Sequence, residues 1–144
     1  MKDITNKSSV LLSIFKRKGG EGLFTKIITD ENKINYFNQL ALLEKDETPL
    51  ICFKEDDLNW LSLTDKRILE SRGGVLTIIS LLDLIETSLA VQEELKNKVV
   101  SKESFTKLAL RDNKGKRYIL QIEKGEPYQG LYQVFHHIAL KNRT

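Results

Sequence analysis

Pro49 divides the chain into two patterns. Proline has no backbone N–H, so in a sheet it is confined to strand starts, edges and bulges. Here it heads Leu50-Ile51-Cys52-Phe53, an apolar run rich in strand formers. Asp56-Asp57 signals a turn, and Leu58 to Leu63 alternates loosely around Trp60. Thr64-Asp65 turns again, Arg67-Ile68-Leu69 forms a third run ended by Arg72-Gly73-Gly74, and Val75 to Leu81 forms a fourth. Runs that begin about eight residues apart, with turn chemistry between them, predict an antiparallel meander. Asp83 bends the chain before a fifth strand expected from about Leu84 to Val91, and polar residues 92–104 read as a long loop or a short helix. Phe105 to Leu110 and Arg117 to Ile122 alternate on either side of Asp112-Asn113-Lys114-Gly115. Asn and Gly supply the positive φ that a hairpin turn needs.

Lys124-Gly125-Glu126-Pro127 ends this pattern and starts a helix, with Pro127 at a position where a missing N–H costs nothing. Tyr128, Leu131, Tyr132, Phe135, Ile138 and Ala139 then share one helical face, a stripe expected to cover the sheet. Lys141 and Arg143 complement the negative C-terminal end of the helix dipole.

Before Pro49 the period is helical. Val10, Leu11, Ile14 and Phe15 share a face, which predicts a short helix or arm within residues 1–18. Gly19, Gly20 and Gly22 break that pattern and read as a flexible hinge, since no Gly-Lys-Ser/Thr follows to make a phosphate loop. From Leu23 to Leu43 the apolar spacing is helix-like, interrupted at Thr29-Asp30-Glu31-Asn32, where Thr29 or Asp30 is a candidate cap. A strand over Leu23 to Ile28 is the alternative. The expected organisation is α+β, with an N-terminal helical extension over residues 1–47 and, over 48–144, a strand meander closed by a C-terminal helix.

A chain of 144 residues is one domain. With 40% hydrophobic and 30% charged residues it is not wholesale disordered. Cys52 is the only cysteine, so no intramolecular disulfide forms and nothing points to an oxidising compartment. Met1 to Lys7 is charged, but Val10 to Phe15 is too short for a signal core, and Lys16-Arg17-Lys18 stands where a cleavage site would be. No stretch has the length of a membrane span, so the expected setting is cytoplasmic.

The net charge of +3 is unevenly spread. Residues 1–47 hold 8 basic and 7 acidic side chains, residues 48–104 hold 7 and 10, and residues 105–144 hold 8 and 3. The positive excess therefore belongs to the C-terminal third.

The run Trp60-Leu61-Ser62-Leu63-Thr64-Asp65-Lys66-Arg67-Ile68-Leu69 resembles the second-to-third strand turn of bacterial pleckstrin-homology-like domains, where Leu-Thr-x-x-Arg-Ile recurs. Ile79-Ser80-Leu81-Leu82-Asp83-Leu84-Ile85 is similar to the segment that leads into their fifth strand. The resemblance spans about residues 48–142. It implies a partly open barrel of about seven strands closed by one C-terminal helix, and a scaffold that binds peptides, proteins or lipid headgroups rather than an enzyme. Lipid-binding members carry basic residues in the first strand–strand loop. Here that loop is Lys54-Glu55-Asp56-Asp57, which repels an anionic headgroup.

The candidates for chemistry have structural readings. Cys52 lies mid-strand as a small hydrophobe with no activating base nearby. His136 and His137 are adjacent on a helix, about 100° apart, and cannot grip one metal together. Asp56-Asp57 and Glu93-Glu94 read as solvated turn residues. No catalytic residue, metal site or cofactor is therefore expected. The candidate binding residues are Lys114, Lys116 and Arg117 at the hairpin tip, with Lys107 and Arg111 behind them. Nucleic acid is disfavoured, because Tyr118 is the only aromatic among these charges. The leading expectation is a non-catalytic binding module that docks a protein or peptide by a sheet edge or along a groove beside the C-terminal helix. The alternative is a peripheral domain that meets an anionic membrane through the basic hairpin and the N-terminal arm.

Overall fold

The computed structural model describes residues 7–144, so Met1 to Asn6 of the expected N-terminal arm lie outside it. The described chain is α+β, with two antiparallel sheets. The first sheet contains β1 (Thr25–Ile27), β2 (Pro49–Lys54), β3 (Trp60–Thr64), β4 (Arg67–Arg72) and β5 (Val75–Ser80), in that spatial order. The second contains β6 (Leu84–Leu89), β7 (Lys107–Asp112) and β8 (Arg117–Gln121). The helices are α1 (Ser8–Lys18), α2 (Phe37–Leu40), α3 (Val91–Lys96) and α4 (Glu126–Arg143).

Register follows the alternation of apolar residues. Leu63 pairs with Ile68 and Ile68 with Ile79, which sets these side chains in one row on the inner face. Leu108 pairs with Leu120 and Leu110 with Tyr118 in the second sheet. α4 closes the core as its stripe predicts, with Tyr128, Leu131, Phe135, Ile138 and Ala139 buried and Pro127 in its first turn. Its far end is tied down by Asn142, whose Nδ2 donates to the carbonyls of Leu81 and Leu84, both at 2.6 Å. Glu70 faces inward from β4, and its carboxylate accepts the backbone N–H of Gln121 on β8 at 2.8 Å, which links the two sheets. Burial pushes the Glu70 carboxyl above its ordinary pKa.

The segment before Pro49 departs from its helical pattern. Among its described residues only α1 and the short α2, entered through a single 3₁₀ turn at Lys33–Tyr36, are helical. Within Leu23 to Ile28 the strand alternative holds: Thr25 to Ile27 adds to the edge of β2, with Thr25 opposite Phe53 and Ile27 opposite Ile51. Pairing with a distant strand satisfies backbone groups that a short helix would leave open at both ends. Thr29 and Asn32 then close a reciprocal turn, Thr29 N–H to Asn32 Oδ1 at 2.8 Å and Asn32 N–H to Thr29 Oγ1 at 3.2 Å.

Two of the three glycines expected to form a hinge, Gly19 and Gly22, are instead points of close approach. A Cβ on Gly19 would fall 2.2 Å from the Glu126 carbonyl oxygen and 2.3 Å from the Gly130 nitrogen. One on Gly22 would fall 2.6 Å from both Glu123 and Pro127. Glu123 holds the same stretch by accepting the N–H groups of Leu23 and Phe24 and the hydroxyl of Thr25. Leu11, Ile14 and Phe15 of α1 join the same core as the strands.

Residues 28–48 run as a strap along the outer face of the first sheet. Lys54 Nζ donates to the Asn35 carbonyl at 2.9 Å, and Arg67 donates to the Leu42 carbonyl at 3.2 Å. Cys52, Ser62 and Leu69, neighbours across β2, β3 and β4 on that face, are all buried.

Candidate docking surface

The basic hairpin is where the sequence puts it, but its charges are partly matched. Arg111 on β7 pairs with Glu86 of β6 at 3.0 Å. Arg117 at the start of β8 makes two hydrogen bonds to Glu93 of α3, at 2.8 and 3.2 Å. The Arg117 guanidinium holds the Glu93 carboxyl down at about 2. Lys116 Nζ sits 5.0 Å from the ring centroid of Tyr118, whose hydroxyl donates to Asp112. Lys114 is exposed at the turn, and Lys107 is half-buried at the start of β7. Arg111 and Arg117 are register partners and share one face, but each is paired with a carboxylate, so the five residues do not form a single uncompensated cluster.

The groups with catalytic potential are likewise engaged. Burial pushes the Cys52 thiol up to about 11, and Ser62 Oγ donates to its sulfur at 3.4 Å. His136 stacks on Tyr132 with centroids 5.9 Å apart. Asp56 Oδ1 accepts the backbone N–H groups of Leu58 and Asn59, which makes it a turn residue. Asp57 pairs with Lys54 at 3.1 Å. Glu94, buried, accepts the N–H groups of Thr106 and Lys107 at 2.7 and 2.9 Å. Among the described residues no group of three or more His, Cys, Asp or Glu is placed to hold a metal ion. No helix there is long and apolar enough to cross a membrane.

Shallow grooves open on the surface. One of about 550 Å³ lies between β1 and the strap, lined by Phe24, Lys26, Tyr36 and Lys54. Another of about 460 Å³ lies by the start of α4, between Arg17, Lys18 and Lys102, with Glu103 and Glu126 among the cations.

A third feature was missed in the sequence. β5 is the last strand of its sheet. Gly73 (φ 57°) and Gly74 (φ 86°) form a two-residue hairpin turn between β4 and β5. The ladder then runs through Arg72 and Val75, Glu70 and Thr77, Ile68 and Ile79, to Leu81 N–H on the Lys66 carbonyl at 2.9 Å. By the alternation of antiparallel ladders, the N–H and C=O groups of Leu76, Ile78 and Ser80 point away from β4 into the open. The side chains beside them are apolar. Leu76 is 44% exposed, Ile78 45%, Val75 71%, and Leu58 of the adjoining loop 58%. Leu58 is fixed there because its carbonyl accepts from Gly74 N–H and Ser71 Oγ. Natural edge strands are blunted by charge, proline, bulges or cover. β5 carries no charge or proline, and its register with β4 is unbroken. The sequence signal was two apolar pairs, Val75-Leu76 and Ile78-Ile79, which reads equally as a buried strand.

Fold and surface together define an α+β protein that offers an open, apolar sheet edge. No protein-family model, curated protein or solved structure matches the chain.

Proposed function

We propose that this is a non-catalytic binding module of pleckstrin-homology-like architecture that takes an extended segment of a protein or peptide partner along β5. The single observation that carries the reading is the unblocked edge of β5, with main-chain groups of Leu76, Ile78 and Ser80 directed outward beside exposed apolar side chains. An added strand gains affinity from such groups and specificity from the alternate side chains. The architecture is supported by the order of elements after Pro49: four meander strands, three more in a second sheet, then one amphipathic helix. A partly open barrel is the arrangement this order suggests, with Glu70 bridging its two halves. A cytoplasmic setting goes with the buried free thiol of Cys52.

The alternative, an anionic membrane surface, has less to work with. Arg111 and Arg117 are already paired, and Leu11, Ile14 and Phe15 of the α1 stripe are buried on the core. The two readings separate in one experiment. Wild type and Ile78→Pro are each used to select from a phage-displayed random peptide library, alongside sedimentation with phosphatidylcholine and phosphatidylglycerol vesicles. Proline at 78 removes an outward donor and leaves the β4 ladder intact. Peptides that lose affinity on the order of tenfold with the variant are the expected result. Vesicle binding with no peptide that depends on Ile78 would overturn the proposal in favour of the membrane.

A further inference from the structure

We infer that the occupant of the β5 edge is a second copy of this chain, paired antiparallel across a two-fold axis near Ile78. The inference rests on the reading of β5 as the docking edge and adds the identity of what docks. Only residues 76, 78 and 80 direct main-chain groups outward, so a two-fold through Ile78 sets outward groups against outward groups. Ile78 then faces Ile78 of the second copy, and Leu76 faces Ser80. Such directly opposed β-branched pairs stabilise a sheet.

Two further features make the edge self-complementary. β5 has no charged residue, so a copy brings no like-charge clash to its centre. Charge also matches at the ends. Arg72, at the turn end of the hairpin, makes no ion pair among the described residues, and Asp83 lies just beyond the other end of β5. Antiparallel pairing brings the Arg72 end of each copy to the Asp83 end of the other. A two-fold interface uses one patch twice and therefore needs this kind of match.

The test is sedimentation equilibrium of three proteins: wild type, Ile78→Lys and Ile78→Glu. Wild type should dimerise with rising concentration. Each variant alone opposes like charges across the axis, and its association should weaken on the order of tenfold or more. An equimolar mixture of the two variants opposes unlike charges and should recover the dimer, which also shows that both are folded. A monomeric wild type up to its solubility limit would overturn the inference. So would a wild-type dimer that neither variant weakens, or a mixture that stays monomeric. A monomeric wild type that still selects peptides dependent on Ile78 would remove only the self-pairing and leave the docking edge. A recovered mixed dimer without any such peptide would do the reverse.

Discussion

α1 is fastened to α4 by shape, whereas the strap of residues 28–48 is fastened to the first sheet by charge and hydrogen bonds. At the first contact Leu11, Ile14 and Phe15 are buried, and the helices approach so closely that a Cβ on Gly130 would lie 2.6 Å from Phe15 Cδ1. At the second the anchor is Glu47. Its carboxylate accepts from Arg67 at 2.6 and 3.0 Å and from Thr64 Oγ1 at 2.5 Å. Tyr36 is buried in the strap, but Ile34 and Phe37 face solvent, and Gln39 is buried with neither side-chain polar atom bonded. The contrast teaches that attachment by shape tolerates pH and salt but not one extra carbon. Attachment by charge tolerates small changes of volume but not loss of ionisation.

The comparison breaks hardest at Gly19. The Gly19→Ala side chain would collide with backbone atoms of α4 that cannot rotate away. Urea denaturation should show a loss of at least about 3 kcal/mol, the same at low and high salt. The next effect is at Glu47. Burial pushes its carboxyl up, but hydrogen bonds from Arg67, Thr64 and the Glu44 backbone outweigh that and hold it at about 2. The folded value thus lies below the ordinary carboxylate value of 4.5. The stabilisation is complete above that value and drains away as pH falls toward about 2. Glu47→Gln should therefore cost about 2 to 3 kcal/mol at neutral pH, and the gap to wild type should close across that acid window. The smallest effect is at the exposed ion pair of Lys66 with Asp46, 2.6 Å apart beside the same anchor. Asp46→Asn should leave the melting midpoint unchanged within error, which would sharpen the claim that burial, not charge alone, makes Glu47 matter.

Much of this fold is legible in the sequence. The strand runs after Pro49, the hairpin at Asn113 to Gly115 and the stripe of α4 depend on local periodicity, and each appears where the pattern puts it. β1 was harder, since Leu23, Phe24, Ile27 and Ile28 carry the spacing of a helical face and only the free edge of β2 decides otherwise. The role of Gly19 could not be read, because its partner Gly130 lies on the other side of the whole meander. The five basic candidates fall on β7, on β8 and in the turn between them, yet Glu86 and Glu93, which match two of them, are distant in sequence. The open side of β5 was invisible for a different reason. A strand's apolar pattern reports what its side chains prefer, not whether a neighbour follows on its flank.

The glycine crossing of α1 and α4 also sets a timetable. A ribosome releases α1 long before α4, so Leu11, Ile14 and Phe15 wait, uncovered, while more than a hundred later residues are made. Contacts of such long separation slow folding and prolong exposure of sticky surface. The nascent protein is therefore most vulnerable to chaperone capture, or to clumping, in the interval just before α4 emerges.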